Sequence, residues 1–235
     1  MMQANELEMT EEALIAQMKR YIGVMRASVQ NGLEGKKTRS GMSGGDAKRI
    51  ADLRRQGTYI NITGDILSDA IEKALATSEA NASMGKIVAA PTAGASGVIP
   101  GVFFAMEGVL GLDDEALARG LIVAGVIGMV VASRASLAGA VGGCQAECGV
   151  AAAMAAAAAV QLAGGTNRMM AAACSIALMN SMGLVCAPIA GLVQIPCAQR
   201  HASPAVTAVP RADLALAGLT CPLPPAPVVA SMLRV

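Results

Sequence analysis

Three cysteines in the second half of the chain have the residue type and the surroundings of metal ligands. Cys144 follows two glycines, Cys186 lies two residues before a proline, and Cys197 directly follows a proline, with 41 and 10 residues between them. Cysteine thiolates are the usual ligands of iron–sulfur clusters. The spacing lacks the local C-x2-C pattern of ferredoxin and zinc sites. Spacing alone therefore leaves open whether these cysteines bind a metal cluster or are small buried hydrophobic side chains.

The six cysteines of the chain are expected to be reduced thiols. The first residues lack the basic, apolar and small-residue layout of a signal peptide, and they include four glutamates, Glu6, Glu8, Glu11 and Glu12. We therefore predict a cytoplasmic protein, in which metal binding or catalysis is a commoner use of cysteine than a disulfide framework. The three cysteines outside the set above are Cys148, Cys174 and Cys221.

Composition limits the partners that the chain could bind. A net charge of +1 over 235 residues gives no electrostatic reason to expect a nucleic acid or an anionic membrane surface as partner. The hydrophobic content of 54% makes a membrane protein the first alternative to test. We do not expect a membrane protein, because no uninterrupted run reaches about 18 to 20 strongly apolar residues and tryptophan is absent. The composition favours a protein that acts on a small molecule.

The loop from Ala89 to Gly101 consists almost entirely of small residues. Such a loop can present backbone N–H groups and the hydroxyls of Thr92 and Ser96 to an anion at a helix N-terminus. It is not a Walker loop, because no Gly-Lys-Ser/Thr ends it. From its sequence alone, this loop is either a tight packing turn or an anion site.

Helical periodicity and capping residues predict an all-α fold, a compact bundle of Ala/Gly-rich helices with loop-borne cysteine ligands. We expect one domain over residues 1–235, with a charged N-terminal part, about 1–86, that holds 23 of the 35 charged residues. The predicted helices share apolar positions at helical spacing and lie at about 11–29, 46–56, 65–80, 103–110, 114–133, 145–163, 166–182 and 198–217.

Six motifs follow one another along the chain: Ser43-Gly44-Gly45-Asp46-Ala47, Asn81-Ala82-Ser83-Met84-Gly85, Ala-Pro-Thr-Ala-Gly-Ala-Ser-Gly from position 90, Gly-Gly-Cys-Gln-Ala-Glu from 142, Gly-Leu-Val-Cys-Ala-Pro-Ile-Ala-Gly-Leu-Val from 183 and Ile-Pro-Cys from 195. In this order they closely resemble the α subunit of the iron–sulfur-dependent L-serine dehydratases (L-serine ammonia-lyases), from about residue 8 to residue 218. The resemblance implies a lyase of amino-acid catabolism and gluconeogenesis that converts L-serine to pyruvate and ammonia.

The resemblance also implies the cofactor and its ligands. In that family three cysteines hold a [4Fe–4S] cluster, and they correspond to Cys144, Cys186 and Cys197. The fourth iron, free of protein, acts as a Lewis acid on the substrate hydroxyl and carboxylate. Loss of the α-proton and hydroxide then gives aminoacrylate, which hydrolyses. An iron that accepts the negative charge of a poor leaving group stabilises the transition state directly.

Further site residues follow from the same resemblance. The substrate-binding set comprises Thr92, Ala93, Gly94, Ser96, Arg200 and His201. Ser96 and Ser136 are candidate catalytic residues, and Glu147 is either the base that removes the α-proton or a structural acceptor beside Cys144. We favour the structural role for Glu147.

Three features depart from the family pattern. Ala187 stands after the second ligand where the family usually has Asp, which removes a carboxylate that could order the surroundings of a cluster. His201 stands where the family has Asn, and we interpret it as a polar contact in preference to an acid or base. The C-terminal segment, about 219–235, lacks the family's Leu-Arg-Glu-Thr and Gly-Gly-Leu-Ala motifs and looks truncated or divergent.

We expect a separate β subunit, a homo-oligomer, or both. Three other functions stay open at this point: a non-catalytic subunit that keeps the fold, a lyase for a related hydroxy-amino acid such as threonine, and a pyridoxal-phosphate dehydratase. The last needs a Schiff-base lysine, and only Lys86 lies near the small-residue loop.

Overall fold

A computed structural model describes residues 9–235, and the side chain of Ala190 is the one exception within that range. Glu6 and Glu8, on which the prediction of a missing signal peptide partly rests, lie outside the described residues. Throughout residues 9–235 the secondary structure consists of helices and turns with no strand, so the prediction of an all-α fold is confirmed.

The longer helices of the bundle agree closely with the helices predicted from periodicity. They are α1 (Glu11–Leu33), α2 (Asp46–Arg55), α3 (Asp65–Ala82), α4 (Val98–Leu110), α5 (Asp114–Arg134), α7 (Val150–Leu162), α8 (Asn167–Met179) and α10 (Ala202–Leu216). Shorter elements complete the fold: α6 (Gly139–Cys144), a π-helical turn (Gln145–Gly149), α9 (Cys197–Arg200), α11 (Pro225–Met232), and 3-10 turns at Ala93–Ala95 and Ile189–Gly191.

Polar side chains begin three of the long helices, as the sequence predicts for two of them. Thr10 accepts a hydrogen bond from the Ala13 amide at the start of α1, and Asp113 does the same for Ala116 at the start of α5. Thr166 caps α8. Each cap satisfies an amide that has no partner inside its own helix, which fixes where the helix begins.

Helix α7 forms the centre of the bundle. Its run of alanines is buried on every side, against α4, α5, α8 and α10. Small residues let neighbouring helices approach closely: a Cβ on Gly128 of α5 would lie 3.2 Å from the Met154 side chain, and one on Gly120 would lie 3.0 Å from Leu162. Close packing of this kind compensates for the scarcity of aromatic side chains.

Helix α2 receives its N-terminal cap from another helix. The carboxylate of Glu79 in α3 accepts hydrogen bonds from the backbone amides of Gly45, Asp46 and Ala47, at 2.9, 2.8 and 3.3 Å. Glu79 is buried, and burial raises the pKa of its carboxyl group. This tertiary cap fixes the loop before α2 against the core.

The cysteine positions require a correction to the prediction of loop-borne ligands. Only Cys186 lies on a loop, because Cys144 is the last residue of α6 and Cys197 is the first residue of α9. Gly143, with φ of 71° and ψ of −176°, interrupts the helical backbone just before Cys144. Glycine adopts this positive φ readily, so the chain kinks at that position.

Within residues 9–235, two helical segments are long and apolar enough to cross a membrane by length and composition, Asp114–Arg134 and Gly139–Leu162. Arg119 interrupts the first segment and Glu147 the second, so neither is the uninterrupted, strongly apolar run that the sequence analysis considered. In the second segment, 89% of the most apolar stretch is buried inside the bundle, compared with 39% in the first segment. The second segment is thus a core helix, for which high hydropathy has an internal cause.

The C-terminal segment, predicted to be truncated or divergent, is folded onto the bundle. It contains α11, whose buried residues Val228, Val229 and Met232 pack into the same hydrophobic core as α8. The single domain proposed from sequence stays a prediction.

Candidate functional site

The three predicted cysteine ligands lie close enough to act on one another's ionisation. Burial raises the pKa of the Cys197 thiol, and Cys144 and Cys186 raise it further. Burial also raises the pKa of Cys144, while a hydrogen bond from Arg200 lowers it. Cys144 is buried, Cys197 half-buried and Cys186 exposed. The fold therefore brings together three thiols that are far apart in sequence, with one edge open to solvent.

This group is not arranged around a single ion. Over residues 9–235, no three His, Cys, Asp or Glu side chains converge as ligands of one metal ion. The thiols can be close to one another without forming a single-ion site. Cysteines that hold an iron–sulfur cluster each bind a different iron, so they surround a larger group. As they stand, these side chains therefore do not form a zinc-like site within residues 9–235.

Arg200 lies in the same short helix as Cys197, and its side chain contacts the segments that contain Cys144 and Cys186. Its Nη1 donates to Cys144 Sγ at 2.8 Å and to the carbonyl of Val185 at 2.7 Å. Arg200 follows Cys197 by three residues in α9, so the two share one face of that helix.

Gln145 connects the first cysteine segment to the second. Its backbone amide donates to the Leu184 carbonyl at 2.9 Å, and its side-chain oxygen accepts from the Gly183 amide at 2.9 Å. Gly143 lies so close to this segment that a Cβ would meet the Leu184 carbonyl oxygen at 2.9 Å. Glycine is therefore needed at position 143 both for its backbone conformation and for space.

A separate polar cluster fixes the segment before the third cysteine. The Gln194 side-chain oxygen accepts hydrogen bonds from Thr38 at 3.0 Å, Ser40 at 2.5 Å and Ser43 at 3.5 Å. These residues precede α2, the helix that Glu79 caps. The N-terminal half of the chain thus contributes to the position of Cys197.

The small-residue loop leads into helix α4 as predicted. It forms a 3-10 turn at Ala93–Ala95 just before the N-terminus of α4. Ser96 is fully buried, and no group of residues 9–235 forms a hydrogen bond with its hydroxyl. An unpaired buried hydroxyl costs stability unless a ligand or water satisfies it. The loop lies beside a helix N-terminus, where an anion could bind, and its role as an anion site stays a prediction.

Glu147 joins this loop to the cysteine region. Its carboxylate accepts a 2.7 Å hydrogen bond from the Thr92 hydroxyl. A Cβ on Gly94 would lie 2.9 Å from one carboxylate oxygen, and a Cβ on Gly139 would lie 2.4 Å from the other. Two glycines therefore make the space in which this carboxylate sits, three residues after Cys144.

His201 holds both ends of the loop. The Gly97 amide donates to Nδ1 at 3.1 Å, so Nδ1 carries no proton, and Nε2–H donates to the Gly94 carbonyl at 2.6 Å. Burial lowers the pKa of His201 to about 4, and the ring is therefore neutral at pH 7. Both ring nitrogens are engaged by the backbone, which fits the interpretation of His201 as a polar contact.

Ser136 takes a position apart from the loop contacts. Its hydroxyl accepts a hydrogen bond from the Ala138 amide at 3.0 Å, and the residue lines a cavity of about 470 Å³ together with Cys186. The catalytic role predicted for Ser136 stays a prediction.

Comparison with known proteins identifies the family. A family model described as "Serine dehydratase alpha chain" matches residues 1–235. The chain belongs to this family. It is 47% identical over 235 residues to the "Probable L-serine dehydratase, alpha chain" of Bacillus subtilis (strain 168), covering 99% of this chain and 78% of that protein. The family predicted from the motifs is thus confirmed.

Two further relatives show how widely members of the serine dehydratase α chain family differ in length. The "L-serine dehydratase, alpha chain" of Peptoniphilus asaccharolyticus is 46% identical over 224 residues, covering 95% of this chain and 76% of that protein. "L-serine dehydratase TdcG" of Escherichia coli (strain K12) is 37% identical over 227 residues, with 94% and 50% covered. The second relative is about twice as long as the region it shares with this chain.

Several positioning residues of this serine dehydratase α chain were not singled out from sequence. Asn81 donates to the Ala93 carbonyl at 3.0 Å and so fixes the loop from α3. Gln145 and Gln194 fasten the cysteine segments as described above. All three lie in or next to the family motifs quoted above, and that position is the one sequence signal that could have found them.

Proposed function

We propose that this serine dehydratase α chain is a lyase that dehydrates and deaminates L-serine to pyruvate and ammonia, with a [4Fe–4S] cluster held by Cys144, Cys186 and Cys197. One observation carries the proposal: the three thiols meet in one region, and Glu147, three residues after Cys144, is hydrogen-bonded to the small-residue loop. The names of the relatives supply the reaction class and the substrate.

The donor set fits such a cluster. Three thiols lie close enough to raise one another's pKa, one of them is exposed, and a guanidinium lies beside another. Three thiolates close together repel one another, so they need positive charge nearby. When bound, a cluster with three protein ligands supplies an open iron that accepts the departing hydroxide.

The chain's own residues bind and orient the substrate. We assign the carboxylate of serine to the loop, where the hydroxyl of Ser96 and the backbone of Ala93 and Gly94 lie at the N-terminus of α4. The free hydroxyl of Ser96 gains in this way the partner that it lacks. Thr92, the remaining predicted contact in this loop, donates its hydroxyl hydrogen to Glu147 and so orients that carboxylate beside the substrate. His201 keeps the loop in place through its two backbone contacts.

We assign removal of the α-proton to Glu147. Its carboxylate is the acidic group in hydrogen-bond contact with the substrate loop, and Thr92 orients one of its oxygens. A base needs this kind of fixed position near the reacting carbon more than it needs an unusual pKa. This proposal replaces the purely structural role that sequence favoured.

A separate β subunit and a cytoplasmic location complete the proposal. Two relatives are named as α chains, which supports a second chain. Helix α5 leaves Val126, Met129 and Val130 partly exposed, which offers such a partner an apolar surface.

Anaerobic reconstitution tests the proposal. The chain is loaded with iron and sulfide, mixed with a β chain from its own source, and supplied with L-serine or L-threonine while pyruvate and 2-oxobutyrate are measured. We expect cluster absorbance and pyruvate formation, with slower turnover of threonine.

Two cysteine variants control this experiment. Cys186→Ser should abolish both the cluster and turnover, whereas Cys221→Ser makes the same chemical change at a thiol outside the set and should preserve both. Full turnover without a cluster contradicts the proposal, and a cluster without turnover on either substrate selects a non-catalytic subunit.

A further inference from the structure

We propose that Arg200 is a positioning residue that assembles the three cysteine segments before and after cluster insertion, and that it is not the residue that binds the substrate carboxylate. This inference rests on the proposed function, because it assigns a role within the same site. It differs from the substrate-binding role that the family resemblance implied for Arg200.

The first argument is connectivity. Arg200 Nη1 carries two hydrogens and has two acceptors, Cys144 Sγ at 2.8 Å and the Val185 carbonyl at 2.7 Å. Val185 is directly bonded to Cys186, and Arg200 shares one turn of α9 with Cys197. A single side chain therefore touches or adjoins all three ligand segments.

The second argument is the exposure of the middle segment. Val185 is 65% exposed and Cys186 is exposed, so burial does little to fix them. Gln145 holds the two residues before them, Gly183 and Leu184. Among side chains of residues 9–235, Arg200 supplies the hydrogen bond recorded to the Val185 backbone. Without this bond, the nearest hydrogen bond described on the N-terminal side of Cys186 is the one to the Leu184 carbonyl.

The third argument is charge. Cluster ligands bind as thiolates, and a cation beside them offsets their mutual repulsion. Within the described part of the chain, Arg200 is the cationic side chain whose hydrogen bond reaches a cysteine sulfur. A planar guanidinium holds its N–H groups in fixed directions, whereas the ammonium of lysine keeps the charge on a flexible stem of different length.

The experiment compares Arg200→Met, Arg200→Lys and the wild type as complete chains with the β chain present. After anaerobic reconstitution, iron and sulfide per chain and the half-life of the cluster absorbance in air are measured. KM for L-serine and kcat per cluster are then determined for the reconstituted proteins. Arg168→Met removes an exposed arginine elsewhere on the surface and serves as the matched control.

We expect Arg200→Met to lower iron content or cluster half-life by about 10-fold or more, since loss of a group that orients a ligand has effects of that size. Arg200→Lys should recover part of the loss, and Arg168→Met should behave as the wild type. KM of the cluster-containing fraction should stay within about threefold of the wild-type value.

The contrary result is an Arg200→Met protein with wild-type iron content and cluster half-life but a KM raised about 10-fold or more. That outcome overturns the proposal and assigns Arg200 to the substrate. The proposed function is judged on the wild type alone: if the wild type takes up no iron and sulfide, that proposal fails before any variant is compared, and the role of Arg200 falls with it.

Discussion

The Thr92 hydroxyl donates a 2.7 Å hydrogen bond to the Glu147 carboxylate, across 55 positions of sequence. This bond joins the small-residue loop before α4 to the π-helical turn that follows Cys144. The loop is the candidate substrate site and the turn adjoins the candidate cluster site. Their contact is the structural basis for assigning one reaction to both.

Replacing Glu147 with Gln tests its role as the base. The amide keeps the size of the carboxylate and can still accept the bond from Thr92, so folding and cluster content should not change. Loss of a general base lowers kcat by about 100-fold or more. Steady-state kinetics per cluster provide the measurement, and a Gln variant with near wild-type kcat would show that Glu147 is structural.

Adding one methyl group at Gly139 should displace the same carboxylate. A Cβ there would lie 2.4 Å from Glu147, so Gly139→Ala should lower kcat by at least about 10-fold. Gly108→Ala is the matched control, because a Cβ at Gly108 meets nothing within 4 Å and alanine favours an exposed helix position. Equal activities of the two variants would contradict the close packing around Glu147.

The neutral state of His201 predicts how stability depends on pH. Its pKa is about 4 in the folded chain against 6.5 for an ordinary histidine, so the unfolded chain binds the extra proton first as pH falls. The contribution of His201 is therefore complete above pH 6.5 and declines between pH 6.5 and about 4, by roughly 3 kcal/mol in all.

Urea unfolding of the wild type and of His201→Asn at several pH values measures this effect. The asparagine variant carries the residue typical of the family and has no titrating ring, so its free energy of unfolding should fall less over that interval. Parallel curves for the two proteins would count against the buried neutral imidazole.

Glu79 should contribute to stability through its cap on α2. Glu79→Ala leaves three backbone amides without their acceptor and should lower the free energy of unfolding by about 1.5 to 3 kcal/mol. Glu12→Ala, in the exposed first turn of α1, should change it by less than about 0.5 kcal/mol. Denaturation midpoints of the two variants give the comparison. Similar losses of unfolding free energy in both variants would show that the cap by Glu79 does not stabilise the fold.

The helices of this protein were determined largely by local sequence. Apolar residues at helical spacing and the capping side chains Thr10 and Asp113 act within a few positions of one another, so periodicity alone placed α1 and α5 to within a few residues. The motifs around the cysteines likewise carried the family. Local patterns determined element type and family, but they misplaced two of the cysteines, because Cys144 ends a helix and Cys197 begins one where loops were expected.

Only the tertiary structure decided which residues meet. The bond from Thr92 to Glu147, the two contacts of His201 with the loop and the bridge from Arg200 to Cys144 join positions between 55 and 107 residues apart. Local preferences do not determine contacts between residues so far apart in sequence. These contacts follow from the close packing of the other helices around the alanine-rich α7. The sequence identified the chemical groups, and the close packing of the bundle determined their arrangement.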